Sequence, residues 1–352
     1  MLYRENGQFK TSYAADQAIF PIRQDRIAIM GVLLFGFLGV PLVANEYVYT
    51  GILIPFLVLT LATIGLNLLT GYCGQVSLGT GAFMAIGAYA AYNLVLRLPG
   101  LNLLTAFAIA GAIAALAGVL FGLPSLRIKG FYLAVATLAA QFFTDWVFTR
   151  IKWFTNYATN ATAPDLVFFG IPLDSAMRRY LFTLTIVAVL TLVAKNLVRG
   201  ATGRAWMAVR DMDIAAEIIG IRLLRTKLLA FAVSSFYCGV AGALWGFVHL
   251  GAWEPLTFDI NRSFQVLFMV IIGGVGSILG SFLGAAFIFA VPILINQVPA
   301  ALGMPIPTAL GSDLEVMVFG ILIIFFLIAE PHGLARLWQV GKEKLRLWPL
   351  PH

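Results

Sequence analysis

Charge is scarce in this chain. Only 11% of its 352 residues are Asp, Glu, Lys or Arg, where a soluble globular protein carries about 25%. Histidine occurs three times, at His249, His332 and His352, never at the spacing of metal ligands, so no metal centre is expected. The two cysteines, Cys73 and Cys238, lie far apart in or beside apolar segments, which predicts two unpaired thiols and no disulfide framework. Acidic residues inside the apolar runs are nearly missing, with Asp145 the most notable exception. Proton relays and sodium sites rest on buried Asp, Glu or His, so this scarcity weighs against an ion-coupled carrier. There is no nucleophile elbow, and "GTGAFMAIG" lacks the Lys-Ser/Thr ending of a phosphate loop. An enzyme is not expected, nor a cofactor held by this chain.

What is present is apolar length. Hydrophobic residues make up 61% of the chain and the mean hydropathy is +0.92. The excess falls in runs of roughly 20 residues, the length that crosses a hydrocarbon core about 30 Å thick. Stretches such as "IPFLVLTLATIGLNLL" do not alternate as barrel strands would. The expected class is all-α, a polytopic helical bundle of about ten spans: 27–44, 49–69, 75–97, 101–123, 131–149, 180–198, 228–250, 264–279, 280–298 and 314–330. The 264–298 run could also be one span and a re-entrant piece. Residues 1–26 are mixed and polar without a cleavage site after the first apolar run, so they read as a cytoplasmic leader and not a removed signal. Residues 27–330 form the transmembrane domain and 331–352 a cytoplasmic tail.

Basic residues set the orientation. With the N-terminus inside, seventeen of the 23 Lys and Arg fall in cytoplasmic segments, seven of them between Lys195 and Lys227. Arg97, Arg150, Lys152, Arg178, Arg179 and Arg262 remain on the far side. Both termini and the 199–227 loop are therefore placed in the cytoplasm. The net charge of +7 follows from this bias and from contact with anionic lipid, and requires no nucleic-acid partner.

The 199–227 loop concentrates charge. Its "DIAAEIIG" reads as a short helix, with Asp213 as N-cap and Gly220 ending it in the left-handed conformation. "GRAWMAVR" before it forms another, with Arg204 and Arg210 pointing outward. A short knob of mixed charge suits insertion into a protein groove; the alternative is a solvated loop whose charges only hold topology. Within the membrane, Gly242 and Gly246, and Gly276, Gly280 and Gly284, recur at every fourth position and offer flat faces for close helix packing. Residues 66–89 differ: Asn67, Thr70, Gln75, Ser77 and Thr80 are interleaved with Gly71, Gly74, Gly79 and Gly81. Irregular backbone at membrane depth is tolerated only where it is buried or lines a cavity, so a broken or re-entrant segment near 66–83 is expected, or else a plain surface loop.

Four stretches in this order, "GLNLLTGYCGQVSLGTGAFMAIGAYAA", "LRIKGFYLAVATLA", "TGRAWMAVRDMDIAAEIIGI" and "IIGGVGSILGSFLGAAF", together resemble the LivM-type permeases of bacterial ABC importers for branched-chain amino acids. The match covers about residues 50–330. It implies an inner-membrane permease half that moves solute by alternating access. The implied partners are a homologous second permease, two ATPase subunits that use ATP and Mg, and an extracytoplasmic solute-binding protein. It also implies that the cytoplasmic loop docks in an ATPase cleft, with Arg204, Arg210, Asp211, Asp213, Glu217 and Gly220 shaping or contacting the joint and Ala216 and Ile219 filling the groove. Asn67, Tyr72, Gln75, Ser77, Phe83, Gln141 and Asp145 are the residues expected along the solute path. The chain departs from the family at Gly79-Thr80-Gly81, where a histidine is common, and at "AQFFTDWVF". The outer loop after it offers Arg150 and Lys152 for a carboxylate and Trp153 and Tyr157 for stacking, or simply interfacial anchors. These departures leave branched-chain amino acids, amides, urea and aromatic acids open as solutes. A self-sufficient channel or carrier for a small polar solute is the alternative.

Overall fold

The computed structural model describes residues 11–12, 23–98, 100–123, 131–157, 161–162, 167–168, 171–301, 308–330 and 332–347. Most of the leader, the "LRIKG" start of the second stretch quoted above and the last five residues lie outside them. The helices are α1 (Arg23–Leu34), α2 (Ile54–Asn67), α3 (Thr80–Arg97), α4 (Leu103–Gly122), α5 (Phe131–Arg150), α6 (Ala176–Arg199), α7 (Ala201–Asp211), α8 (Asp213–Ile218), α9 (Leu223–Leu244), α10 (Ile260–Gly273), α11 (Ile278–Ala301), α12 (Thr308–Ala329) and α13 (Gly333–Leu347). Wider π-helical turns extend α1 over Phe35–Gly39, precede α2 at Val48–Leu53, follow it at Leu68–Tyr72 and follow α9 at Trp245–Leu250. Two ladders of two residues each, Ala161–Thr162 with Ala252–Trp253 and Val167–Phe168 with Ile171–Pro172, tie loops at one end of the bundle.

Among the described residues, seven helical stretches are long and apolar enough to cross a membrane: Gln24–Val43, Val48–Tyr72, Leu103–Gly122, Ala176–Arg199, Leu223–Leu250, Leu256–Gly273 and Ile278–Ile295. Helices α3, α5 and α12 complete a polytopic bundle of about ten spans. The 264–298 run resolves into α10 and α11 joined by a tight turn.

Helices α2 and α9 are the most deeply buried and α1 the least. The core is assembled by backbones in near contact. A Cβ on Gly87 of α3 would strike the backbone of Gly239 on α9, and one on Gly242 would strike the Met84 backbone. Likewise Gly280 and Gly284 of α11 face the backbone of Gly273 and Met269 on α10. Dispersion between such closely apposed helices supplies the association that water would otherwise drive. Two core hydroxyls of α2 are satisfied within their own helix: Thr60 donates to the Phe56 carbonyl and Thr63 to that of Leu59, each at 2.7 Å. Gly276 differs from the expectation of a continuous glycine face. It sits in the turn between α10 and α11 at φ +81°, because the chain must reverse there, and it takes no part in the α11 face.

The end of the bundle that carries residues 199–222 is called proximal here, the other distal. The start of α1 and helix α13 share the proximal end, joined by Lys342 Nζ to Asp25 Oδ1 at 3.2 Å.

Candidate functional site: a proximal knob tied to a broken helix

Helix α7 is fastened to the bundle by its apolar stripe. Trp206 is fully buried and its indole N–H donates to the Thr226 carbonyl at 3.0 Å. Gly203 lies against the Val198 backbone with no room for a side chain. At Met212 the backbone turns extended and α8 begins. Gly220, at φ +90°, closes α8: the Ile221 N–H donates to Ala216 O at 3.0 Å and the Gly220 N–H to Glu217 O at 2.9 Å, a Schellman pairing that a left-handed residue makes possible.

Two expectations for this knob are corrected. Asp213 does not cap α8, whose N-cap is Met212 with no side-chain bond. Its carboxylate lies 4.0 Å from the ammonium of the buried Lys227, because a lysine sealed into α9 needs a counter-charge more than α8 needs a cap. Ala216 cannot fill a partner's groove, since it packs inward and is 2% exposed. The outward face is instead Met212 (66% exposed), Ile214 (67%), Ile218 (81%) and Ile219 (73%), ringed by the exposed Arg204, Asp211 and Glu217. Arg204 donates back to the Arg199 carbonyl at 3.0 Å.

Arg210 is exposed, as expected, with 38% of its side chain open, but its guanidinium also reaches back to the bundle. Its Nε donates to Asp211 Oδ1 and its Nη1 to the Gly71 carbonyl, both at 2.9 Å. Gly71 is the fourth residue of the π-helical turn that follows α2. Just beneath lies a buried polar knot. Asn67 Nδ2 donates to Ser277 O at 2.8 Å and to Ser281 Oγ at 3.0 Å, while its Oδ1 accepts from the Gly276 N–H at 2.8 Å. A Cβ on Gly71 would collide with Gly276 and with Asn67. Knob, π-turn and the α10–α11 turn thus form one mechanically continuous unit.

From there the chain runs non-helically through 74–79. Six residues span at most about 20 Å, enough to climb from the proximal end toward the middle of the bundle. Helix α3 starts there, against Gln141, which is itself midway along α5. The first amides of α3 would be orphans, and other helices supply their partners. Gly81 N–H donates to Ser263 Oγ at 2.8 Å and Ala82 N–H to Gln141 Oε1 at 2.6 Å. Ser263 also donates to Gln141 Oε1 at 3.0 Å, and Gln141 Nε2 donates to Phe258 O at 2.8 Å and Asp145 Oδ1 at 3.0 Å. One turn earlier, Leu78 N–H donates to Thr137 Oγ1 at 2.8 Å. Helix α5 supplies the side chains of this joint, Thr137 and Gln141, while α3 supplies backbone amides.

The residues expected along a solute path divide here. Gln141 and Ser77 are buried in the joint, where Ser77 Oγ accepts from the Gly79 N–H at 3.3 Å. Asp145 is half-buried at its edge. Gln75 is half-buried, with Thr70 Oγ1 donating to its carbonyl at 3.3 Å. Tyr72 closes the π-turn and is 9% exposed. Asn67 belongs to the knot, and Phe83 packs on the Phe121 ring in the core; neither faces open space. Trp153, proposed for stacking on a solute, already carries the Arg97 guanidinium 3.7 Å from its ring centre. Sequence reading missed Thr137 and Ser263, single hydroxyls in apolar runs with no local signal, and the exposure of Met212 and Ile214.

Comparison with known proteins follows this geometry. A family model described as "branched-chain amino acid transport system / permease component" matches residues 48–327. The high-affinity branched-chain amino acid transport system permease protein LivM of Escherichia coli is 31% identical over 295 residues, 77% of this chain and 66% of that protein; its Salmonella typhimurium counterpart is 30% identical over the same shares. This chain therefore spans just under two thirds of the length of those relatives. The autoinducer 2 import system permease protein LsrC of an Enterobacter strain is 29% identical over 54% of this chain and 55% of its own length.

Proposed function

This chain belongs to the branched-chain amino acid transport permease family, and from that premise we propose that it is the membrane-spanning half of an ATP-driven importer. Its solute is a branched-chain amino acid or a related small carboxylate or amide. It pairs with a homologous permease, receives solute at the distal end from an extracytoplasmic binding protein, and rests at the proximal, cytoplasmic end on two ATPase subunits, which bind ATP and Mg. Both termini are cytoplasmic, in the inner membrane of a bacterium.

The observation that carries this reading is the contrast within the knob. Four large apolar side chains are exposed on and beside α8, while Trp206 of α7 and Asp213 of α8 fasten the knob inward. Exposed apolar side chains grouped inside a charged rim fit a protein partner better than water. When the ATPases close on the knob, Arg210 passes the displacement to Gly71 and the π-turn. The 74–79 segment then shifts against α5 and α10. The hydrogen bonds at the start of α3 can exchange for water or solute without leaving buried amides bare, which makes that joint the step of the path that opens.

The test is reconstitution of the chain with its partner subunits in proteoliposomes, with radiolabelled leucine and the binding protein outside. Leucine should accumulate only with ATP inside, and Glu217→Lys should abolish accumulation while the protein remains inserted. Uptake by the chain alone without ATP would instead establish a channel or secondary carrier. Full uptake by Glu217→Lys would remove the knob from the mechanism.

A further inference from the structure

Arg262 stands in the first turn of α10, with the negative charge of Asp259 nearby but no ion pair to it. No carboxylate oxygen lies within 4.0 Å of its guanidinium among the described residues. The neighbouring Asp259 is committed elsewhere: its Oδ1 accepts from the Arg262 backbone N–H at 3.2 Å and its Oδ2 from Asn261 Nδ2 at 2.6 Å. The guanidinium has one side-chain acceptor, the neutral Gln265 Oε1, at 2.6 Å from Nη1. Its Nε is buried without a partner. The guanidinium carbon lies 4.3 Å from the centre of the Trp245 ring, and Trp245 in turn packs on His249 with ring centres 4.5 Å apart. Trp245 Nε1 and His249 Nδ1 are likewise buried and unpartnered, while the Thr50 carbonyl faces the imidazole as an acceptor.

We propose that this stack is a carboxylate-binding subsite. Buried polar groups are nearly always satisfied, and two unpartnered donors in one stack, Arg262 Nε and Trp245 Nε1, point to one missing acceptor. A cation is excluded by the guanidinium, and an apolar molecule would leave every orphan bare. The Nε–Nη2 edge of the fork, free of protein acceptors, matches the two oxygens of a carboxylate, and the indole N–H beside it is a further donor. A buried guanidinium nitrogen without an acceptor is costly, and the π-helical end of α9 that carries Trp245 and His249 is a feature frequent at functional sites. The subsite adjoins the proposed path in sequence, because the next residue, Ser263, accepts from the Gly81 N–H at the start of α3. Its place in transport rests on the importer reading; its binding chemistry does not.

The experiment is thermal unfolding of the purified full-length chain in nanodiscs, titrated separately with L-leucine, 4-methylpentanoate, 3-methylbutylamine and inorganic phosphate. The two carboxylates should raise Tm with dose, and the amine and phosphate should not. Arg262→Gln should weaken the carboxylate response about ten-fold or more. Trp245→Phe keeps the ring stack, loses only the N–H, and should weaken it about five-fold. No rise with either carboxylate overturns the proposal. So does an equal rise with the amine, a rise with phosphate alone, or an undiminished response in Trp245→Phe. Because no ATPase is present, a positive result here beside failed ATP-driven uptake would overturn the importer reading alone.

Discussion

The α7–α8 knob and the 74–79 segment both interrupt an apolar chain with polar residues, yet they are stabilised in different ways. The knob is largely local: the Arg210–Asp211 pair joins sequence neighbours, and the closing bonds of α8 lie within one turn. The broken segment is held from afar. Its amides and those of α3 take partners 59 and 182 residues away, and the Gly71 carbonyl takes one 139 residues away. A local device can move as a body with little loss. A long-range joint changes only by exchanging one set of partners for another, which is what a gate must do.

Substitutions can break this contrast, starting with the largest effect. Gly71→Val drives a side chain into Gly276 and Asn67 and should destabilise the bundle by on the order of 4 kcal/mol, as overpacking with lost buried polar contacts does. Thermal unfolding of the purified chain measures it, and a near-normal Tm would mean the knot is not rigid. Gln141→Leu keeps the volume but strips the acceptor from Ala82 N–H and Ser263 Oγ and the donor from Phe258 O. A loss of roughly 3 kcal/mol follows from the unpaired buried groups, with earlier hydrogen exchange at the start of α3. Gly220→Ala meets no atom within 4 Å, so only its φ of +90° is at issue, and the cost should be about 1 kcal/mol. Ile218→Asp is smallest in stability, within about 0.5 kcal/mol for so exposed a position. It should nonetheless abolish co-purification of the ATPase subunits, while a matching Tyr157→Asp in an exposed loop at the other end of the bundle should not. Equal ATPase recovery from Ile218→Asp would leave the apolar face without a partner.

The sequence made some of this legible. The ten helices follow from apolar runs, and Gly220 was readable as a helix stop because only a left-handed residue closes "DIAAEII" so abruptly. The break after Asn67 was readable from glycines and hydroxyls crowded into one run. The reach of Arg210 back to the bundle was not, because a loop arginine has no pattern that distinguishes solvent from the Gly71 carbonyl. Nor was the burial of Ala216, which depends on where α8 lies against the bundle and not on its own periodicity over six residues. Thr137 and Ser263 are single hydroxyls that become partners only when α3, α5 and α10 are brought together. His249 looked isolated in the sequence because its neighbours in the stack belong partly to another helix.

The central claim is that Arg210 carries motion from the knob to the broken helix. Its most direct test is Arg210→Gln in the reconstituted complex, with ATP hydrolysis and leucine uptake measured in the same vesicles. Assembly and hydrolysis should persist, because the docking face is untouched, while uptake per ATP falls about ten-fold, the change that about 1.4 kcal/mol of lost coupling gives. Unchanged uptake per ATP would contradict the account.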